Sequence, residues 1–226
     1  MRNEIVIIWN GMMVNVTKSS QKRRGSVSFK IKDGKVYVTA WLKCPTDYIY
    51  DALSKKENWI MKHLENPKIR ASFSLDNGSD IYVLGKRYHL QLVNSSRGKM
   101  ELSGDTCFIY GPSEKSWVNA YKNYVENLLD ELLDKYRNQL RYDVGDYTLK
   151  YRFYKSRWGC CFFRRREVVM NYYCIAMEEE AIKYVFYHEL AHLSVGNHSK
   201  DFYSHLAQLD PSYKIGLKKS KSYTIA

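Results

Sequence analysis

The pattern of apolar and polar positions over the first forty-five residues reads as β. The stretch "IVIIW" (5–9) opens with a short apolar run, and "SVSFKIKDGKVYVTA" (26–40) alternates around Asp33-Gly34. Period-two alternation about an Asp-Gly pair predicts a β-hairpin. Val27, Phe29 and Ile31 then share one face, and Val36 and Val38 share the facing strand. After Cys44-Pro45 the period lengthens. Thr46 is placed to cap a helix reaching about Leu64, with Ile49, Leu53, Ile60 and Leu64 as its apolar positions, before Pro67 stops it. Two further hairpins are expected, one turning at Gly85-Lys86 and one at Ser103–Asp105. No internal repeat is visible.

From Ser113 the pattern turns helical for about thirty residues. Val118, Tyr121, Val125, Leu128, Leu132 and Tyr136 keep the 3.6-residue period. "DYTLKYRFY" and "EVVMNYY" predict two more strands. A helix follows over about 177–195, with Glu178, Glu179 and Glu180 at its positive end. A last short helix covers about 200–209, and the basic tail "KIGLKKSKSYTIA" is expected to fray in part. The pattern predicts an α+β protein: an antiparallel β-rich half with a helix over 1–112, and a second half over 113–226 that packs with it as one unit.

Composition changes this picture little. With 45% hydrophobic and 27% charged residues the chain is ordinary globular material. Twenty tyrosines point to broad half-buried surfaces. A net charge of +12 favours polyanionic partners, nucleic acid or nucleotides among them, or simply a solvated basic surface. Five cysteines, an odd number without a CxxC, are expected to be free thiols of a reducing compartment. The five-residue run 5–9 is too short for a signal peptide or a membrane span, so the expected location is cytoplasmic.

Candidate chemistry is concentrated in "YHELAHLSVGNH", Tyr187 to His198, which holds three of the six histidines. His188 and His192 are four apart, which puts them on one helix face about 5–6 Å apart at Cβ. Two imidazoles at that spacing can share one zinc ion, and Glu189 sits where a general base for hydrolysis belongs. A third ligand is needed. His198 is the first candidate, provided Gly196 ends the helix in the left-handed conformation; His205 and Asp201 are reserves. Val195 occupies the position where metzincins carry glycine, and no methionine follows Met177 to form their Met-turn, so a true metzincin is excluded.

These residues resemble the YgjP-like metal-dependent hydrolase family, related to SprT-like and WLM zincin metalloproteases. "KSRWGCC" (155–161), "VVMNYY" (168–173) and "YHELAHLSVGNHSKDFY" (187–203) carry the likeness, with weaker echoes upstream in "KRRGSVSFKIKDGKVYV", "ENWIMKH" and "YVLGKRYHLQLV". The resemblance implies a zincin-like second half, one zinc held by His188, His192 and His198, and Glu189 as the catalytic carboxylate. Cys160 stands where the family has serine, and Tyr203 where it has tryptophan. By similarity to zincins, the strand around 168–171 would be an edge strand flanking the cleft. Arg157, Asn171 and Tyr203 are substrate-binding candidates; Arg157 could polarise a carbonyl, bind phosphate or form a structural ion pair, and Asn171 could instead anchor the active-site helix or shape that edge. Tyr172, Tyr173 and Tyr203 could each donate to an oxyanion. Arg164–Arg166 are expected in a hairpin loop near that strand.

Three functions come into question, in order of preference. The first is a zinc-dependent peptidase acting on peptide or protein. The second keeps the metal but acts on a nucleotide, as a UTP-type pyrophosphohydrolase. The third is a nucleic-acid-binding protein with a structural zinc. The absence of a P-loop weakens the second, and an HExxH glutamate has no purpose in the third.

Overall fold

The alternation at the N-terminus forms the strands it predicts. The computed structural model describes residues 2–32, 34–65 and 67–225. Strands β1 (Arg2–Trp9) and β2 (Met12–Ser19) pair antiparallel through Asn10 and Gly11, whose φ of 47° and 74° form a tight hairpin turn. Asp33, half of the expected Asp33-Gly34 turn, lies outside the described residues. On either side of it β3 (Val27–Lys32) and β4 (Lys35–Trp41) pair antiparallel, Lys32 opposite Lys35. The long helix expected from Thr46 is two helices, α1 (Thr46–Ser54) and α2 (Glu57–Glu65). Pro45, not Thr46, occupies the N-cap of α1, and no side chain caps it.

The Cα framework divides into two units, Met1–Lys68 and Ile69–Ala226. The halves expected from sequence met at 112–113 instead. The difference has a packing cause. Strands β6 (Asp80–Val83), β7 (Lys86–Asn94), β8 (Lys99–Ser103) and β9 (Thr106–Gly111) lead into α3 (Glu114–Arg137), which lies across β8 and β9. Leu90 and Ile109 of that sheet share one buried cluster with Leu129 of α3 and with residues far downstream, such as Met170 and Phe186. Burial therefore joins residues 69–112 to residues 113–226.

Each unit contains the same arrangement: two antiparallel hairpins joined by a parallel pairing of their inner strands, followed by a helix. The orders are β1-β2-β4-β3 and β6-β7-β9-β8. Inner strands β2 and β4 run parallel, as do β7 and β9, so both sheets are mixed rather than antiparallel. The turn from β6 to β7 matches that from β1 to β2. It uses Leu84 (φ 48°) and Gly85 (φ 80°), one place before the expected Gly85-Lys86. This is a repeat of topology that residue identity conceals.

The second unit continues with β10 (Thr148–Arg152), β11 (Gly159–Phe162) and β12 (Glu167–Asn171), ordered β10-β12-β11. Helices α4 (Glu179–Ala191), α5 (Lys200–Leu209) and α6 (Tyr213–Ser220) come next, and β13 (Tyr223–Ile225) pairs parallel with β5 (Ile69–Ala71). The C-terminal segment expected to fray is thus a helix and a strand. Gly216 lets α6 lie against α4: a Cβ there would meet the Glu180 carbonyl oxygen at 2.3 Å and Tyr184 Cβ at 2.5 Å. No helix among the described residues is long and apolar enough to cross a membrane.

Candidate metal centre

Helix α4 is buried along most of its length, through Ile182, Val185, Phe186 and Leu190. Acidic Glu179 and Glu180 occupy its first turn, where the helix dipole is positive. Its end comes earlier than the periodicity predicts. His192 is the C-cap, and the chain tightens at once, with Leu193 N–H donating to Leu190 O and Ser194 N–H to Ala191 O. His192 Nδ1 donates to the Val195 carbonyl at 2.9 Å, which leaves its Nε2 lone pair free. Gly196 is not left-handed, and a Cβ on it would meet nothing. The turn is made by the helix terminus, not by glycine. Ser199 then caps α5, its hydroxyl accepting from Phe202 N–H.

This turn brings His198 back to α4. Ligand nitrogens of His188, His192 and His198 all lie within 4.8 Å of one another. His188 Nε2 and His198 Nε2 are 3.0 Å apart. Three nitrogens on a tetrahedral zinc with bonds of 2.0–2.1 Å would be about 3.3 Å apart, so the donor set fits such an ion. Burial, and then the neighbouring histidines, push His188 down to about 4, which keeps it neutral and metal-competent at pH 7. Tyr184, one turn earlier, places its hydroxyl 3.4 Å from His188 Nδ1. The reserve ligands are elsewhere: His205 hydrogen-bonds the Tyr142 hydroxyl at 2.7 Å, and exposed Asp201 is not part of the cluster.

Phe202, fully buried, forms the floor beneath the three imidazoles, with centroid distances of 4.9, 4.5 and 4.9 Å to His188, His192 and His198. Sequence reasoning did not assign it a role. Its signal was there, on the apolar face of the helix beginning right after His198.

Glu189 is 7% exposed and lies against β11. A Cβ on Gly159 would sit 2.6 Å from Glu189 Cγ and 2.7 Å from its Oε1, so only glycine leaves room for this carboxylate. Burial raises Glu189 to about 7, opposed by the Arg157 charge and by a hydrogen bond from the Cys161 backbone. A cleft of about 690 Å³ opens over the site. One wall is Arg157, Gly159, Cys160 and Cys161; α6 contributes Leu217 and Ser220 to the cleft lining.

The other candidates separate. Strand β12, expected at the edge, is the centre of its sheet; β11 is the edge strand that borders the cleft. Asn171 is fully buried and lies outside the cleft. Its Nδ2 donates to the carbonyls of Tyr154 (2.9 Å) and Arg157 (2.8 Å), and its N–H to that of Trp158 (2.8 Å). It therefore shapes the loop leading into β11. Arg157 is exposed on the cleft wall, with its guanidinium 3.6 Å from Cys160 Sγ. Tyr203 is 41% exposed, 6.5 Å from His198 between ring centroids, and outside the cleft lining. The Tyr172 hydroxyl donates to Glu126 of α3.

Arg164–Arg166 do join β11 to β12, as expected. However, Arg166 donates to the Asp146 and Val144 carbonyls, Arg165 lies over Phe162, and none of the three lines the cleft.

Residues 25–221 match the model of the YgjP-like metallopeptidase domain. The chain belongs to the YgjP-like metallopeptidase family. This YgjP-like chain is accordingly a metal-dependent hydrolase, and the three-histidine cluster is where its described residues could hold the ion. No curated protein matches it significantly. Among solved structures it is similar to the crystal structure of the metallopeptidase zymogen of Pyrococcus abyssi abylysin. That likeness has 21% identity and a TM-score of 0.35, over 43% of this chain and 98% of the other.

Proposed function

We propose that the chain is a zinc-dependent peptidase of the zincin type, with His188, His192 and His198 as ligands and Glu189 as general base. The observation that carries this reading is the convergence of three imidazoles beside a buried carboxylate in an open cleft. Zinc, when bound, supplies Lewis acidity to the scissile carbonyl and the attacking water. Glu189 takes the proton of that water and passes it to the leaving amine. A peptide would lie extended beside β11, whose outer edge offers main-chain partners, as in other strand-addition complexes. Asn171 acts indirectly, by holding the loop that carries Arg157. Arg157 stands at the wall to meet a substrate carbonyl or carboxylate.

Nothing at the site favours nucleotide hydrolysis. Of its expected cation cluster, Arg166 is directed at main-chain carbonyls and Arg165 at an aromatic ring, and Arg157 is the one Lys or Arg among the described residues lining the cleft. The test is Glu189→Gln assayed on casein, short peptides and nucleoside triphosphates. It should keep one zinc per chain and lose at least about a hundredfold in peptide turnover. Unchanged turnover in that variant, or triphosphate cleavage without peptide cleavage by the parent, would reject the reading.

A further inference from the structure

The two sheets of like topology allow an internal comparison of their open faces. In the first unit, Ile49, Leu53 and Ile60 of α1 and α2 share a buried cluster with Val14, Val16 and Val38, and so cover one face of the sheet. The opposite face is defined by the strand register. Val6, Asn15, Tyr37 and Lys30 form one row across β1, β2, β4 and β3. Glu4, Thr17, Thr39 and Ser28 form the next. Lys32 and Lys35 flank the first row, as do Ile8 and Met13. Val6, Ile8 and Met13 are 59, 57 and 68% exposed, and the three lysines are exposed too.

Charge is concentrated in this unit. Residues 1–68 hold 13 of the 36 Lys and Arg and six of the 24 Asp and Glu, a net +7; the other 158 residues carry +5. Lys22 reaches the open face through Ser28 Oγ at 3.0 Å, and Arg2 shares a shallow depression with it and Thr39. Among the described residues, Glu4 is the one carboxylate in these rows. The corresponding face of the β6–β9 sheet is built differently. There Arg87 and His89 meet Asp80 at 3.6 and 3.1 Å, and Lys99 pairs with Glu101. The open face of the second copy thus carries charges of both signs, and that of the first mostly cations.

We propose that the open face of the β1–β4 sheet binds single-stranded nucleic acid. Lys30 of β3 and Lys35 of β4 are exposed on this face and form a cationic track for phosphates. Beside this track, Tyr37 offers an aromatic surface, and Val6, Ile8 and Met13 an apolar one, for bases. A duplex keeps its bases stacked inside and cannot use that apolar surface, whereas an unpaired strand can. Asn15, Thr17, Thr39 and Ser28 supply hydrogen-bonding groups between the two.

The test is fluorescence anisotropy of labelled oligothymidine and oligouridine, each about 20 nucleotides, titrated with the full chain. A matched duplex and phosphatidylglycerol vesicles run in parallel. Single strands should bind, and affinity should fall about tenfold or more between about 50 and about 200 mM salt. Combining Lys30→Glu with Lys35→Glu, both solvent-exposed, should weaken binding about tenfold, whereas Lys99→Glu on the second sheet should change it less than about twofold. Val6→Ser with Met13→Ser should weaken single-strand binding selectively. No binding at low salt, indifference to the lysine reversals, equal affinity for the duplex, or capture by vesicles but not oligonucleotides would each overturn the proposal.

Discussion

Glycine 159 is where a missing side chain has a chemical consequence. The Glu189 carboxylate occupies the space that a Cβ would take. Gly159→Ala should therefore leave zinc content unchanged, because the imidazoles are untouched, and lower kcat by about tenfold or more by displacing the proposed base. Steady-state kinetics beside metal analysis separates the two effects. Phe202 is the complementary case, a side chain whose bulk supports the three imidazoles. Removing it in Phe202→Ala should cost about 3–5 kcal/mol of stability. It should also weaken zinc binding, since the three rings would lose their common floor. Denaturant unfolding with and without zinc, together with a competition titration, checks both. An unchanged zinc affinity would show that the phenylalanine only fills space.

Elements position these residues through their ends more than through their lengths. Helix α4 terminates at the second histidine, and its tightened last turn returns the chain to deliver the third. Helix α6 then seats against α4 through a backbone approach that only glycine permits at 216. Lys219 of α6 adds contacts to Glu178 (2.6 Å) and Glu180 (3.0 Å) at the start of α4, exposed pairs worth little by themselves. Close packing, then, holds α6 in place. Gly216→Val should destabilise the protein by about 1–3 kcal/mol and raise hydrogen exchange across 213–225, whereas Lys219→Ala should do neither measurably.

At the scale of the molecule two separate cores are present. One is built wholly from residues before 69, the other wholly from residues after 68. All three imidazoles, Glu189 and the cleft belong to the second. A fragment spanning 69–226, which keeps β5 for its pairing with β13, should fold alone and bind one zinc with the affinity of the full chain. Isothermal titration of both proteins tests this. Loss of the cooperative transition in the fragment would mean that the first unit is needed for stability.

Much of this was legible in the chain, and the exceptions share a cause. Alternation revealed β3 and β4, the 3.6 period revealed α3 and α4, and the four-residue interval placed His188 and His192 on one face. These are local properties, written in neighbouring residues. The halves were divided at 112 instead of 68, because which core a strand joins depends on contacts with residues fifty or more positions away. Strand β12 was taken for the edge when β11 holds that place, since sheet order is decided by pairing across the chain. The tail was read as frayed because its polar composition conceals a glycine that fits one particular groove. The topological repeat escaped notice because a fold tolerates different side chains on the same backbone.

The sequence by itself determined the element types and the candidate ligands, because helix and strand periodicity and side-chain chemistry are local. Tertiary structure alone decided that His198 meets the other two, that Asn171 holds a loop rather than a substrate, and that Glu189 is desolvated beneath Gly159. Each of these depends on long-range burial and on the close approach of one backbone to another.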